Sequence, residues 1–194
     1  YFDRSEYNFL PFRKLLLNDI NSIFTVSTNG ENYLNSLTTK RSVKIATSRI
    51  GVFSNYTFED LEFKRNKLKL ISCSYIIPLK RIELIIDSLR LIENIDIHWM
   101  HIGKGIQSFE YQSNIEFLIS DFKKDNIKIS FIGDILNSEV INIYKTQNFD
   151  LFINLSKYEG IPVSIMEAFS FGIPAIATDV GGISEIVDKF FNIF

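Results

Sequence analysis

The stretch "FDLFINLSKYEGIPVSIMEAFSFGIPAIATDV", Phe149–Val180, decides the fold. "FDLFINLS" is a short apolar run of strand length. "PVSIMEAFSF" reads as a helix begun by Pro162, whose fixed φ suits a first helical turn. "PAIATDV" reads as a second strand. Strand, helix and strand joined by short loops form the unit from which parallel sheets are wound.

The same alternation extends outward in both directions. "KLKLISCS" is a buried strand, and "KRIELIIDSLRLI" places Ile82, Ile85, Ile86, Leu89 and Ile92 at helical spacing. "IDIHWMHIG" is a strand, "IQSFEYQSNIEFLISDF" a helix and "IKISFIGDI" a strand. "NSEVINIYKT" is a helix with Asn137 as its expected N-cap and Glu139 in its first turn. "ISEIVD" begins a further helix. The helical periodicities exclude an all-β chain, and the repeated β-branched runs exclude a helical bundle. The expected fold class is therefore α/β, with a Rossmann-like doubly wound parallel sheet. Further upstream, Ser5–Asn18 reads as a helix with Phe9, Phe12, Leu16 and Leu17 near one face. Asn21–Ser27 reads as a strand and "GENYLNSL" as a short helix. "VKIATSRIGVFSNYTFEDLEFKRNK" reads as irregular, a candidate linker.

Composition narrows the function classes. The chain has 194 residues, 46% of them hydrophobic, enough for one sizeable core and part of a second. A net charge of −2 gives no overall field to draw in nucleic acid or anionic lipid. The single cysteine, Cys73, excludes an internal disulfide framework and suits a reducing cytosol. No apolar run reaches the ~18 residues of a membrane span. The N-terminus lacks a basic flank followed by an apolar core, so no signal peptide is expected. A start at Tyr1 and an apolar finish, "DKFFNIF", give the expectation of a piece of a longer chain.

In doubly wound sheets, ligands bind beyond the carboxyl ends of the strands. The informative positions are thus Ser74–Lys80, Gly103–Gly105, Gly133–Asp134, Ser156–Pro162 and Asp179–Gly182. Lys80 is expected at the start of a helix, where a cation opposes the helix dipole and a bound anion would explain it. A solvent-facing lysine is the plain alternative. Gly103 and Gly105 let the backbone approach a ligand, or simply form a turn. Glu159 and Glu167, with seven residues between them, flank a helix N-terminus. Two acceptor-only groups around oriented N–H donors suit a ligand that is hydroxyl-rich at both ends and anionic in the middle, the shape of a nucleotide-sugar. The plain alternatives are a dipole charge for Glu159 and a Lys or Arg partner for Glu167.

Taken together, these residues resemble the C-terminal half of a GT-B glycosyltransferase of family 4. That family carries Glu, seven residues, Glu in a segment that Ser156, Glu159, Gly160, Glu167, Ala168, Gly172, Pro174, Gly181 and Gly182 match in order. "SYIIPLKRIELIIDSL" is similar to its phosphate-lysine unit, "HIGKG" to its glycine loop and "ISFIGDILNSEVINIY" to its strand–Gly–helix unit. "INSIFTVSTNGENYL" and "SRIGVFS" more loosely resemble the last elements of the N-terminal GT-B domain and the crossover. One departure is Tyr75, which stands where the family often has an arginine that helps hold the diphosphate, a role that would then pass to Lys80 or to a cation such as Arg81.

The resemblance implies two domains: residues 1–50, a remnant of the N-terminal domain and crossover, and residues 51–194, the nucleotide-sugar-binding domain ending before its last helices. It implies transfer of a sugar, with retention, from a nucleotide diphosphate to a hydroxyl acceptor, lipid-linked acceptors included, in bacterial surface polysaccharide or glycolipid synthesis. Lys80 would stabilise the leaving diphosphate, and Glu159 would orient the sugar, helped by Gly160, Ile161, Pro162 and Val163. Glu167 would bind the ribose, while Ser156, Arg81, Gly103 and Gly105 complete the donor site. Neither cofactor nor metal is implied: His98 and His101 stand three apart on a strand, on opposite faces. Nucleic acid is not an expected partner, and the expected location is the cytoplasm or the inner face of the membrane. A GT-B nucleotide-sugar epimerase and a non-catalytic nucleotide-binding module remain the rival readings. A glycosidase is disfavoured because Glu167 lies well inside a helix with no second acid at the cleft mouth.

Overall fold

The computed structural model describes residues 19–37, 43–53, 66–105 and 109–187. The helix expected over Ser5–Asn18 and the closing segment 188–194 lie outside the described residues. The chain divides into two compact units, Tyr1–Ile50 and Gly51–Phe194.

In the first unit, β1 (Ser22–Thr25) and β2 (Lys44–Thr47) pair in parallel, and α1 (Thr28–Leu37) lies between them in sequence. Ser27 caps that helix, its Oγ accepting the Gly30 N–H at 3.0 Å. Strand β2 falls within the stretch expected to be irregular. Its four residues are too few to show a period, and only the pairing with β1 across the helix makes them a strand.

The second unit is the expected doubly wound sheet. Strands β3 (Lys67–Cys73), β4 (Asp96–Ile102), β5 (Ile127–Gly133), β6 (Leu151–Asn154) and β7 (Ala175–Ala177) are arranged β5-β4-β3-β6-β7, with every pair parallel. They alternate with α2 (Ile82–Arg90), α3 (Phe109–Ser120), α4 (Asn137–Thr146) and α5 (Val163–Ser170). Strand alternation sorts the core into two layers. Leu70, Ile97 and Trp99 pack with Ile82, Ile86, Leu89 and Ile115 of α2 and α3. Ile71, Met100, Ile102 and Phe152 pack with Val140, Tyr144, Ile165 and Ala168 of α4 and α5. The winding runs outward from β3 to β5, then restarts at β6 on the other side of β3. The switch point between β3 and β6 is where such a sheet opens a crevice.

Three helix starts differ from the expectation. Helix α2 begins at Ile82, because Lys80 closes a tight turn (Pro78–Lys80) and Arg81 then takes a left-handed conformation, φ 50°. The N–H of Ile82 is capped from α3 by the Tyr111 hydroxyl at 3.0 Å, and that hydroxyl in turn donates to Glu83. Asn137 is the first residue of α4 and not its cap. Leu136 holds the cap position, and its N–H donates to Glu139 Oε2 at 2.9 Å. Near the C-terminal end, Ile183–Glu185 forms a single tight turn rather than an α-helix within the described residues.

One buried polar cluster lies in the layer against α2 and α3. The Trp99 indole N–H donates to Ser72 Oγ at 2.9 Å, and Ser72 Oγ lies 2.8 Å from His101 Nδ1. The serine proton is best used toward Nδ1, which makes His101 the neutral Nε2–H tautomer. That Nε2 is buried without a well-formed hydrogen bond, and the Ser74 main chain beside it offsets only part of the burial. Burial pushes the imidazole down from 6.5 to about 4. The folded state therefore binds fewer protons than the unfolded chain. Stability conferred by neutral His101 is present above pH 6.5 and is lost as pH falls toward about 4. The full gap is worth about 3 kcal/mol. Urea midpoints measured between pH 7.5 and 4.5 should fall more steeply for the native chain than for His101→Gln. Parallel profiles would show that the histidine is not the sensitive group. His98, on the opposite face as expected, bonds Ser130 Oγ through Nε2 at 2.8 Å.

Candidate active site

The two loops that meet at the switch point are residues 74–81, after β3, and 155–162, after β6. The N–H of Lys157 donates to Leu79 O at 2.8 Å and ties one loop to the other. Three donors converge on one carboxylate oxygen, Glu159 Oε1: Lys80 Nζ at 2.5 Å, Ser156 Oγ at 2.6 Å and Asn154 Nδ2 at 3.1 Å. The Lys80 side chain is 17% exposed and that of Glu159 9%, so this is a largely desolvated ion pair. Such a pair stabilises little by itself, and the neutral donors help offset its desolvation. The plain alternatives for the two acids are not met as stated: Glu159, not Glu167, pairs with a cation, and Glu167 accepts from the Asn137 amide.

Arg81 braces the same loop. Its Nε donates to Leu155 O at 2.5 Å and its Nη2 to Ser156 O at 3.1 Å. Thr178 Oγ1 donates to Ser156 O at 2.5 Å from the loop after β7. That third loop also underlies Glu159. Gly181 has φ +62°, and a Cβ there would stand 1.8 Å from Glu159 O, while the Gly182 N–H donates to Gly160 O at 2.9 Å. At Gly160, by contrast, a Cβ would meet nothing within 4 Å. The backbone at Gly160 therefore faces open space directly before Ile161, Pro162 and the first turn of α5, where Ile165 N–H donates to Pro162 O at 3.2 Å and the Val163 and Ser164 N–H groups precede the first intrahelical acceptor. Pro162 takes the N-cap position, one residue earlier in the helix than expected.

Glu167 lies on α5, half-buried, and accepts from Asn137 Nδ2 at 2.9 Å. It shares no hydrogen bond with the Glu159 cluster. On the other side of the switch point, Gly103 and Gly105 shape the loop after β4. A Cβ on Gly103 would stand 1.9 Å from Ser74 O, and one on Gly105 2.0 Å from Gln112 Oε1. The first requires glycine for close passage of two main chains. The second opposes the Gln112 side chain, its tip and its Cβ at 3.0 Å, and no main chain. Sequence reasoning missed Asn154 and Asn137 as partners of the two acids. Asparagine has no signature spacing, and both matter only through contacts made after folding.

A family model for glycosyl transferases group 1 matches residues 54–194. The chain belongs to that family. Among relatives, the O-antigen biosynthesis glycosyltransferase WbnH of Escherichia coli is 40% identical over 60 residues, 31% of this chain and 16% of that protein. WcaL of Salmonella typhimurium, named for colanic acid biosynthesis, is 27% identical over 150 residues, 75% of this chain and 36% of that protein. The chain thus spans well under half the length of these relatives. In fold, it is similar to Anabaena HepE in complex with UDP and glucose, with TM-score 0.70 and 16% identity over 90% of this chain and 49% of that one. The second unit is accordingly a Rossmann-like domain of the GT-B type. Among the described residues, no helix is long and apolar enough to cross a membrane.

Proposed function

We propose that residues 51–194 form the donor-binding domain of a retaining, family 4 glycosyltransferase that moves a sugar from a nucleotide diphosphate to a hydroxyl acceptor. The observation that carries this reading is the convergence of Lys80 and Glu159 at 2.5 Å at the sheet's switch point, beside an open backbone and a helix N-terminus. In this reading the donor diphosphate takes Lys80 from Glu159. The ammonium and the α5 N–H groups then stabilise charge on the leaving group. Glu159, held by Ser156 and Asn154, turns its other oxygen to the sugar hydroxyls, while Gly160, Ile161 and Val163 offer main-chain contacts. Glu167 takes the ribose hydroxyls, with Asn137 fixing its rotamer. Arg81 acts through the backbone of Leu155 and Ser156, and Gly103 and Gly105 set the floor of the nucleotide site. The diphosphate contacts in this reading come from protein groups and include no metal or cofactor.

Residues 1–50 are read as the end of the N-terminal domain and the crossover, and the acceptor site as belonging to that other domain. The names of the relatives, in O-antigen and colanic acid biosynthesis, support a role in polysaccharide synthesis; a lipid-linked acceptor at the cytoplasmic face of a membrane is part of the proposal. The test uses the full-length protein, with nucleotide-sugars as donors and lipid-linked saccharides as acceptors. Product should form with the donor's anomeric configuration, read by NMR. Glu167→Ala should lose about tenfold or more in affinity for nucleoside and nucleotide alike, since a charged acceptor is removed from the ribose. Calorimetry showing unchanged binding by a folded variant would refute the ribose assignment.

A further inference from the structure

Lys104 stands at the carboxyl end of β4, between the two glycines. The main chain of residues 102–104 is laced to both neighbouring strand ends. Ile76 N–H donates to Lys104 O at 2.9 Å, Ser74 N–H to Ile102 O at 3.0 Å and Gly103 N–H to Gly133 O at 2.8 Å. Ile76 lies just before the Pro78–Lys80 turn, so Lys104 is held beside the loop that carries Lys80. Tyr75, half-exposed, is on that same loop. Lys104 Nζ pairs with Asp134 Oδ2 at 2.6 Å, and the two side chains are 54% and 50% exposed.

The charge balance of the donor site leaves a gap. Lys80 is matched by Glu159, Glu167 adds a negative charge, and the Arg81 guanidinium is committed to two carbonyls. A diphosphate brings several further negative charges. An exposed ion pair contributes little to stability, so Lys104 can leave Asp134 at small cost. We propose that Lys104 is a second diphosphate-binding cation, with Asp134 the carboxylate that holds it in place until the donor arrives. The proposal rests on the donor-site reading given above.

Two variants break the same ion pair and separate the explanations. If the pair is only structural, Lys104→Gln and Asp134→Asn shift affinity in the same direction. If Lys104 binds phosphate, they shift it in opposite directions. The experiment titrates the full chain calorimetrically with UDP, GDP, ADP and dTDP, then with the nucleoside of the tightest binder. Lys104→Gln should weaken the diphosphate about tenfold and leave the nucleoside unchanged. Asp134→Asn should tighten the diphosphate, and both effects should shrink at high salt. Equal shifts in the two variants, or loss of the phosphate contribution in Lys157→Gln but not in Lys104→Gln, would overturn the assignment. If the native chain gains nothing from the diphosphate over the nucleoside, the donor-site reading fails and this inference fails with it. If the native gain persists in Lys104→Gln, only this inference fails.

Discussion

Gly181→Ala is expected to lower stability by about 3 kcal/mol, and Gly160→Ala, at the facing loop, by almost nothing. Two costs meet at Gly181. Its φ of +62° lies where a side chain is strained, and an added Cβ would stand 1.8 Å from Glu159 O. The obstructing atom is backbone, so no rotamer change relieves it. The loop after β6 must move, which breaks the Gly182 N–H bond to Gly160 O. For a chain of this size, such a loss lowers Tm by roughly 6–12 °C. Gly160 has open space where its Cβ would go, so Gly160→Ala should melt with the native chain. That same methyl group would project where the proposed sugar approaches. The donor affinity of Gly160→Ala should therefore fall while its Tm holds. Paired calorimetric melts and nucleotide-sugar titrations read both outcomes. A native-like Tm for Gly181→Ala would show that the two loops do not pack as described. Unchanged donor affinity in Gly160→Ala would remove this loop from the sugar site.

The contrast between these glycines marks where sequence reading stops. The alternation of strands and helices was legible because it is written in local periodicity, such as Ile82, Ile85, Ile86 and Leu89 on one helix face. The loops that face the switch point followed from that order. The identities of Lys80 and Glu159 as candidates followed from residue chemistry at those loops. What was not legible depends on partners far along the chain. Strand β2 exists through its pairing with β1, and Asn137 is drawn from the expected capping role toward Glu167, while Glu139 supplies the capping contact instead. The sequence offers Arg81 as an alternative cation for the diphosphate. Its left-handed backbone instead turns its side chain onto the carbonyls of Leu155 and Ser156. Gly103 and Gly181 looked alike as turn residues. The first clears Ser74 and the second clears Glu159, and neither neighbour is adjacent in sequence.

The Lys80–Glu159 pair should make stability and activity diverge when it is removed in full. Lys80→Met leaves Glu159 9% exposed and without its cation, with only Ser156 and Asn154 to satisfy it. Removing one member of a fully buried pair costs about 3–5 kcal/mol, so a smaller loss of about 2 kcal/mol is expected where the lysine stays partly exposed. Glu159→Gln should cost less, because the Lys80 ammonium can turn outward to water. The double variant Lys80→Met/Glu159→Gln should recover most of the lost stability, since no unpaired charge remains in the cluster. Its catalysis should not recover. Loss of the leaving-group cation is expected to lower the rate about 100- to 1000-fold in every variant that lacks Lys80. Urea melts of the four proteins give the coupling energy, and release of nucleoside diphosphate from the donor gives the rate. Additive losses of stability would mean that the pair is not coupled as its geometry requires. A double variant that regains stability and still turns over donor would move the diphosphate away from Lys80. Recovered folding with lost turnover is the expected result. It would mean that this charge pair is kept at the switch point for the ligand it exchanges with, at some expense to the stability of the sheet beneath it.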